Sequence, residues 1–536
     1  MIYETLNSGQ KEIFDRLVNG ENVFITGNAG TGKSYLVKAF DEWCTVSKKN
    51  FVKTAPTGVA ALEIGGTTLH KQFGLEVGLD FNEVTEAAVV TSKKLNFLKR
   101  VDILLIDEIS MVRIDIFDRL MLILEVYNKN RERKRKKPIQ LVFVGDFYQL
   151  APVMKKEDRP LLEDYYKRPL GDAYCFQSRY WRMFKVQLCN LTEVVRQANP
   201  KFCQALDDCK EGDTHCLSFV RQNSAKEIIP NAIWLCGKNK TADTKNLSEL
   251  EDIKGEKYTY TAEYSGEVEA KDKLCEDILT LKEGARVVFL INDSLGEYQN
   301  GTMGTVTRCD TDFVLVKVDD RKDFGGKVIK GKTVTVQRHA FCKYKYESKT
   351  HEILLFEENS SGEKTPVIDE KTGLPKTKRE ITLDKIEIGR AEQFPLRLGY
   401  AVTIHKSQGQ TYEALNLSPE IFSTGMLYVA LSRCKTIENI HVEGNLTNRM
   451  VMSSPEVLAF YSNPEGYSFF GDGIATIHVP EKYKDKILAL IQEWESGNVN
   501  AGMEARTKAE TATQPQKRGW GGAALCSRVI QLASNK

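Results

Sequence analysis

No apolar run in the 536-residue chain approaches the ~18–20 residues needed to cross a bilayer. The N-terminus, MIYETLNSGQ, has neither the apolar core of a secretory signal nor the Arg/Ser-rich character of a transit segment. A membrane role is therefore not expected. A soluble, cytoplasmic protein is, and the compact start points to a bacterial or viral chain rather than a nuclear or mitochondrial one. Paired cysteines are missing as well: none of the twelve falls in a C-x-x-C, which argues against a zinc ribbon or a thiol redox motif. The loose group Cys203, Cys209, His215 and Cys216 lacks ligand spacing and reads as reduced intracellular thiols. Charge of one sign is also scarce. The formal net charge is +2, so any contact with nucleic acid must come from a local patch or groove and not from a global field. Hydrophobic content of 41% and charged content of 28% are those of an ordinary globular protein, long enough for about three or four domains.

What is present centres on Gly27-Asn28-Ala29-Gly30-Thr31-Gly32-Lys33-Ser34, which fits the phosphate-loop pattern G-x-x-x-x-G-K-[ST]. The apolar run Val23-Phe24-Ile25 precedes it and a helix-like spacing from Tyr35 to Trp43 follows. Glycines are needed because backbone N–H groups close around phosphate oxygens where a Cβ would intrude. Lys33 would meet the β- and γ-phosphates, and Ser34 would offer a hydroxyl to Mg²⁺. Gln10, on a short amphipathic helix upstream, either reads an adenine edge with its amide or is a solvated helix residue.

A second strand, Phe51 to Thr54, leads into Ala55-Pro56-Thr57-Gly58. Thr67, Thr68 and His70 follow in a stretch suited to phosphate-backbone contacts or to ordinary turns and caps. Residues 101–108, Val-Asp-Ile-Leu-Leu-Ile-Asp-Glu, form an apolar strand ending in paired acids: Asp107 for the Mg²⁺ shell and Glu108 to polarise the attacking water. Residues 113–128 carry apolar positions at helical spacing. The basic run Arg131 to Lys137 suits a nucleic-acid patch or a localisation signal, with a solvated loop as the favoured reading. A third strand, Leu141 to Val144, ends near Gln149, placed to report the γ-phosphate. Three apolar strands with phosphate chemistry at their C-terminal ends imply an open parallel α/β sheet.

The order of these motifs resembles the PIF-type (petite integration frequency) DNA helicases of the RecD-like branch of helicase superfamily one. The remaining blocks fit in sequence: Leu191 to Gln197 (LTEVVRQ), Tyr400 to Thr411 (YAVTIHKSQGQT) and Leu427 to Cys434 (LYVALSRC). The resemblance covers roughly residues 5–455. It implies an ATP- and Mg²⁺-dependent enzyme that moves 5′→3′ on single-stranded DNA and opens duplexes and forks, with a monomer as the simplest state. Its fold would be two RecA-like phosphate-loop domains, at 1–185 and at 186–300 with 391–455. A wedge near 75–100 and an SH3-like β-barrel at 301–390 would be inserted in them.

Arg196 and Arg433 match the family's arginine fingers, both supplied by the second domain, and Gly409 falls on the ATP side. Pro56, Thr57, Thr67, His70, Phe73, Thr403, His405, Lys406 and Gln408 match positions that line the single-strand groove. Three features depart from the family: the basic run 131–137, Val195 where an aromatic is common, and the polar stretch Glu357 to Lys378, which suggests an exposed loop. Residues 456–495 read as a helical extension, with Ile487, Leu488, Leu490 and Ile491 at helical spacing, and 496–536 as a disordered tail. The rival readings are a nucleotide-switched DNA-binding protein that does not unwind, a nucleotide kinase, and an RNA translocase.

Overall fold

The computed structural model describes residues 2–75, 92–193, 199–268, 275–293, 300–322, 328–358, 364–368 and 375–462, with residues 89, 196–197, 297–298 and the strand pair 468–469/475–476. Val195, most of the wedge, Ile487 to Ile491 and the expected tail lie outside these residues.

Six parallel strands form the first sheet: β1 (Val23–Gly27), β2 (Phe51–Ala55), β3 (Thr67–Thr68), β4 (Ile103–Ile106), β5 (Gln140–Val144) and β6 (Gln187–Leu191). Their spatial order is β3-β2-β4-β5-β1-β6. The central strands are buried along their whole length, which is why they read as unbroken apolar runs rather than as alternating ones. β6 pairs with β1 from Val23↔Gln187 to Gly27↔Leu191, so the first domain continues past the expected boundary at residue 185.

The chain also returns to this domain at its far end. Helix Pro455–Ser462, expected as the start of an extension, buries Val457 and Phe460 in the first domain's core. Phe460 stacks on Phe176 at 4.5 Å and meets Trp181 edge-on at 5.8 Å. Tyr461 shares a 2.7 Å hydrogen bond with Thr26 and accepts the Phe147 N–H at 3.1 Å.

The second sheet is four parallel strands, in the order Ala401–Thr403, Ile233–Cys236, Leu415–Leu417, Ile440–Val442. Between its halves lies a five-stranded antiparallel sheet. It contains Met303–Cys309, Val314–Val318 and Thr333–Val336 and also takes in Arg286–Phe289 and Leu396–Leu398, outside the expected 301–390.

The same insertion sends out a ribbon, His339–Leu354 paired with Thr377–Gln393. Where an exposed loop was expected, the ribbon carries a further strand pair, Phe356–Glu358 with Lys364–Pro366. Its middle docks on the first domain. Gln72 donates from Nε2 to the Tyr346 carbonyl at 3.0 Å and accepts the Tyr346 N–H at 2.8 Å, imitating a strand neighbour.

Helix Ile114–Arg133 runs beyond the expected 113–128 and takes up the start of the basic run. Arg131 is not solvated. It is buried, and it binds backbone carbonyls of Leu98, Val101 and Lys137.

Candidate functional site

The phosphate loop turns between β1 and helix Lys33–Val46. Gly30 has φ +86°, and a Cβ there would come within 2.4 Å of the Arg196 Cβ. Gly32 has φ +81°, and a Cβ there would come within 2.5 Å of the Gln10 amide nitrogen, so neither position readily accepts a side chain. Lys33 curls across the loop and donates to the carbonyls of Gly27 at 2.8 Å and Asn28 at 3.1 Å. Burial lowers its pKa, against the pull of Asp146, Glu108 and Asp107. Thr31 donates to the Asn28 carbonyl. Asn28 reaches the opposite wall, where it meets Asp207 and Lys210.

Gln10 is neither solvated nor free. It is buried, and its carbonyl accepts the Asn7 N–H at 3.1 Å while its amide donates to the Gly32 carbonyl at 3.3 Å. The amide ties the first helix to the phosphate loop.

Asp107 and Glu108 stand at the end of β4, Glu108 at φ +48° with its N–H donated to Asp107 Oδ1 at 2.9 Å. Burial raises the pKa of both; the charge of Glu63 adds to the rise at Asp107, and that of Asp107 to the rise at Glu108. Glu63 extends the group. Burial, with Glu108 next, pushes its carboxyl up to about 7, although Asn300 donates to it at 3.0 Å. The three carboxylates, Asp107 and Glu108 half-buried and Glu63 exposed, gather negative charge at the end of β4. Gln408, expected on the DNA side, instead donates to Glu108 Oε2 at 2.8 Å. Gly409 lies beside Glu63, where a Cβ would sit 3.3 Å from its carboxylate.

Cations face these acids. Arg196 follows β6 on the segment joining the two sheets, rather than within the second domain. It packs over Gly30 and donates to the Ser432 carbonyl at 3.1 Å. Burial, and then the nearby Arg433, push its pKa down to about 9. Arg433 is 1% exposed. Its guanidinium is held by Val429 O at 2.9 Å, Ser432 Oγ at 2.8 Å, and Ser407 O and Gln410 O at 3.4 Å. Three cations held close to one another, Arg433 buried and Lys33 and Arg196 half-buried, gain most from a bound polyanion.

Sequence reasoning missed the link that closes this site. Tyr428, buried on helix Met426–Leu431, accepts the Ala29 N–H at 3.0 Å and donates to Asp146 Oδ2 at 3.3 Å. Gln149 donates to the same oxygen at 3.3 Å. One hydroxyl thus joins the phosphate loop, the turn after β5 and the second domain. The tyrosine was visible within the YVALSR block, but nothing in a linear sequence says which residue its hydroxyl meets.

The groove residues divide. Thr57 caps helix Gly58–Glu63 by accepting the Ala60 N–H, with Pro56 partly exposed beside it. The Thr67 hydroxyl is buried with no hydrogen-bond partner. His70 and His405 are partly exposed, and burial lowers the pKa of both. Phe73 is not available for stacking on a base: it is 4% exposed and packs edge-on against Phe97 at 5.4 Å. On the second domain, Thr403, His405 and Lys406 line a cleft of about 510 Å³ together with Gly237, Lys238, Asn239 and Phe422. The Thr403 hydroxyl accepts the Lys406 N–H at 3.3 Å. Phe422, 43% exposed, offers the ring that Phe73 does not. Its position in a loop before a helix was its only sequence signal.

Residues 5–216 match the family model described as PIF1-like helicase. The chain is 29% identical over 86% of its length to the ATP-dependent DNA helicase Pif1 of Bdellovibrio bacteriovorus, of which it covers 92%. It is 28% identical over 83% of its length to the ATP-dependent DNA helicase RRM3 of Saccharomyces cerevisiae, and spans 65% of that protein. The structure of Bacteroides sp. Pif1 in complex with ADP-AlF4 superposes with a TM-score of 0.67 at 29% identity, covering 85% of this chain and 96% of that one. Bacteroides Pif1 bound to ssDNA gives 0.54 at 29% identity, with 86% and 98% covered. Among the described residues, no helix is long and apolar enough to cross a membrane.

Proposed function

We infer that this chain is a PIF1-like helicase, an ATP-dependent DNA helicase that translocates 5′→3′ on single-stranded DNA and opens duplexes and forks. The observation that carries the reading is the meeting of Lys33, Arg196 and Arg433 with Asp107 and Glu108 between two parallel sheets, beside a polar cleft with an aromatic wall. The two sheets are taken as the RecA-like domains and the five-stranded sheet as the SH3-like insertion. The relatives' names and the nucleotide and single-strand complexes of Bacteroides Pif1 support the assignment.

ATP phosphates would lie in the loop Gly27–Ser34, with Lys33 turning from its carbonyl acceptors to the β- and γ-oxygens. Asp107 and the Ser34 hydroxyl, both hard oxygen donors, are of the type that holds Mg²⁺, and the ion would neutralise charge on the phosphates. Glu108, its pKa raised by burial, is suited to take a proton from water. Arg196 and Arg433 would offset charge developing on the transferred phosphoryl group, and Gln149 would relay its presence through Asp146 to Tyr428. Since Arg433 and Tyr428 belong to the second domain, loss of the γ-phosphate changes the grip between the domains, which is the step of the motor. Separating a base pair costs about 1.4 kcal/mol per step, well within reach of a hydrolysis-driven cycle.

Strand displacement on duplexes with a 5′ or a 3′ single-stranded tail tests this, with Lys33→Ala as the blank. Unwinding of the 5′-tailed duplex alone is the expected result. Unwinding from a 3′ tail would overturn the polarity, and ATP turnover without displacement from either tail would leave a translocase. Lys406→Ala is expected to weaken single-strand binding and to reduce the slope of log K against log salt by about 0.7, while ATP turnover without DNA persists. Unchanged affinity would remove Lys406 from the groove.

A further inference from the structure

The basic run is built into a larger surface. Arg131 donates from Nη1 to Val101 O at 2.9 Å and Leu98 O at 3.4 Å, and from Nε to Lys137 O at 2.8 Å. A single guanidinium thus pins the end of the 3-10 turn Lys93–Lys99 to the far end of the basic loop. Asn128 holds the loop's exit by accepting the Ile139 N–H at 2.9 Å. Around this clasp stand Lys93, Lys94, Lys99 and Arg100 from one segment and Lys134 to Lys137 from the other. All are exposed except the half-buried Arg100, and no carboxylate among the described residues pairs with any of them.

A net charge of only +2 on the whole chain makes this local concentration distinctive. Arg135 takes φ +55°, a conformation in which glycine is the easy choice, yet the position carries a cation. The nearby aromatic and apolar side chains, Leu95, Phe97, Leu98 and Tyr127, are buried, so an unpaired base would find no ring to stack on. A charged face without a stacking platform suits a phosphate backbone whose bases are already paired.

We propose that this composite surface on the first domain grips the phosphate backbone of duplex DNA. It is distinct from the cleft at Thr403, His405 and Lys406, and its first segment is anchored by Phe97 packing on Phe73 in the core beneath it. The proposal rests on the helicase reading only in that a helicase meets a duplex.

The test is binding of the full chain to a blunt duplex and to a single-stranded oligonucleotide, by fluorescence anisotropy over a range of salt. Two variants probe the two segments: Lys134→Ala/Arg135→Gly/Lys136→Ala/Lys137→Ala and Lys93→Ala/Lys94→Ala/Lys99→Ala. Each is expected to lose about tenfold or more in duplex affinity at physiological salt. The duplex salt slope should fall by about 0.9 for every phosphate contact removed. Single-strand affinity and single-strand-stimulated ATP turnover should stay as in the wild type. Unchanged duplex affinity in either variant overturns the composite surface and hands the run to a protein receptor, while an equal loss on single strands overturns its selectivity. If the wild type displaces no strand but the variants still lose duplex binding, the surface stands and the helicase reading falls.

Discussion

Arg196→Ala is expected to lower DNA-stimulated ATP turnover by about 10³–10⁵-fold and to leave the chain folded. The side chain lies over the phosphate loop at Gly30, and its guanidinium donates to a single carbonyl, Ser432 O. Truncation leaves that carbonyl with the Gln197 amide as its donor and opens no apolar core. What it removes is half of a cation pair whose mutual repulsion, added to burial, has pushed the Arg196 pKa down to about 9. A bound triphosphate relieves that repulsion, and most fully when charge gathers on the transferred group, so the loss should fall on turnover far more than on nucleotide affinity. Arg433 is a less clean probe. Its guanidinium also binds the carbonyls of Val429, Ser407 and Gln410, and Arg433→Ala would leave the Gln410 carbonyl without that donor, at about 1–3 kcal/mol for a buried acceptor left unpaired, besides emptying a fully buried site. Steady-state phosphate release with saturating single-stranded DNA, beside nucleotide binding on the same preparation, decides the matter. Wild-type turnover in Arg196→Ala would return that arginine to a packing role.

Phe460→Ala should destabilise the protein by about 3–5 kcal/mol, the range for emptying a large aromatic site in a packed core. Phe460 is fully buried among Phe24, Phe147, Phe176 and Trp181, rings contributed by β1, by the turn after β5 and by the chain that follows. The helix that carries it also brings Tyr461 to Thr26, next to the phosphate loop. The loss should therefore weaken nucleotide binding as well as shift the urea midpoint. Phe460→Leu, which keeps most of the volume, should cost clearly less. A change below about 0.5 kcal/mol in Phe460→Ala, the size typical of surface sites, would show that the helix is an appendage.

Short-range chemistry was readable because it needs particular residues at fixed spacing. The phosphate loop, the acids closing an apolar strand and the arginine of YVALSR each declare themselves locally, and buried parallel strands are continuous apolar runs by necessity. Contacts made by one side chain across hundreds of residues leave no such period. Gln408 was read toward DNA and turns to Glu108. Phe73 has the look of a stacking residue and is core. Helix Pro455–Ser462 has little amphipathic pattern of its own because nearly every face of it is covered once it docks.

The sequence by itself pointed to the class of the molecule, a phosphate-loop ATPase on parallel α/β sheets, with Lys33, Asp107 and Glu108 proposed for its chemistry from their spacing and Arg196 and Arg433 from the family resemblance. Tertiary structure alone decided which groups share that site, through the Tyr428 hydroxyl between Ala29 and Asp146, and that Arg131 draws two basic segments onto one face. The reason is physical. Local motifs are set by backbone geometry over a few residues, whereas a buried polar group accepts whichever partner folding brings within hydrogen-bond reach, and that partner is fixed by the packing of the whole chain.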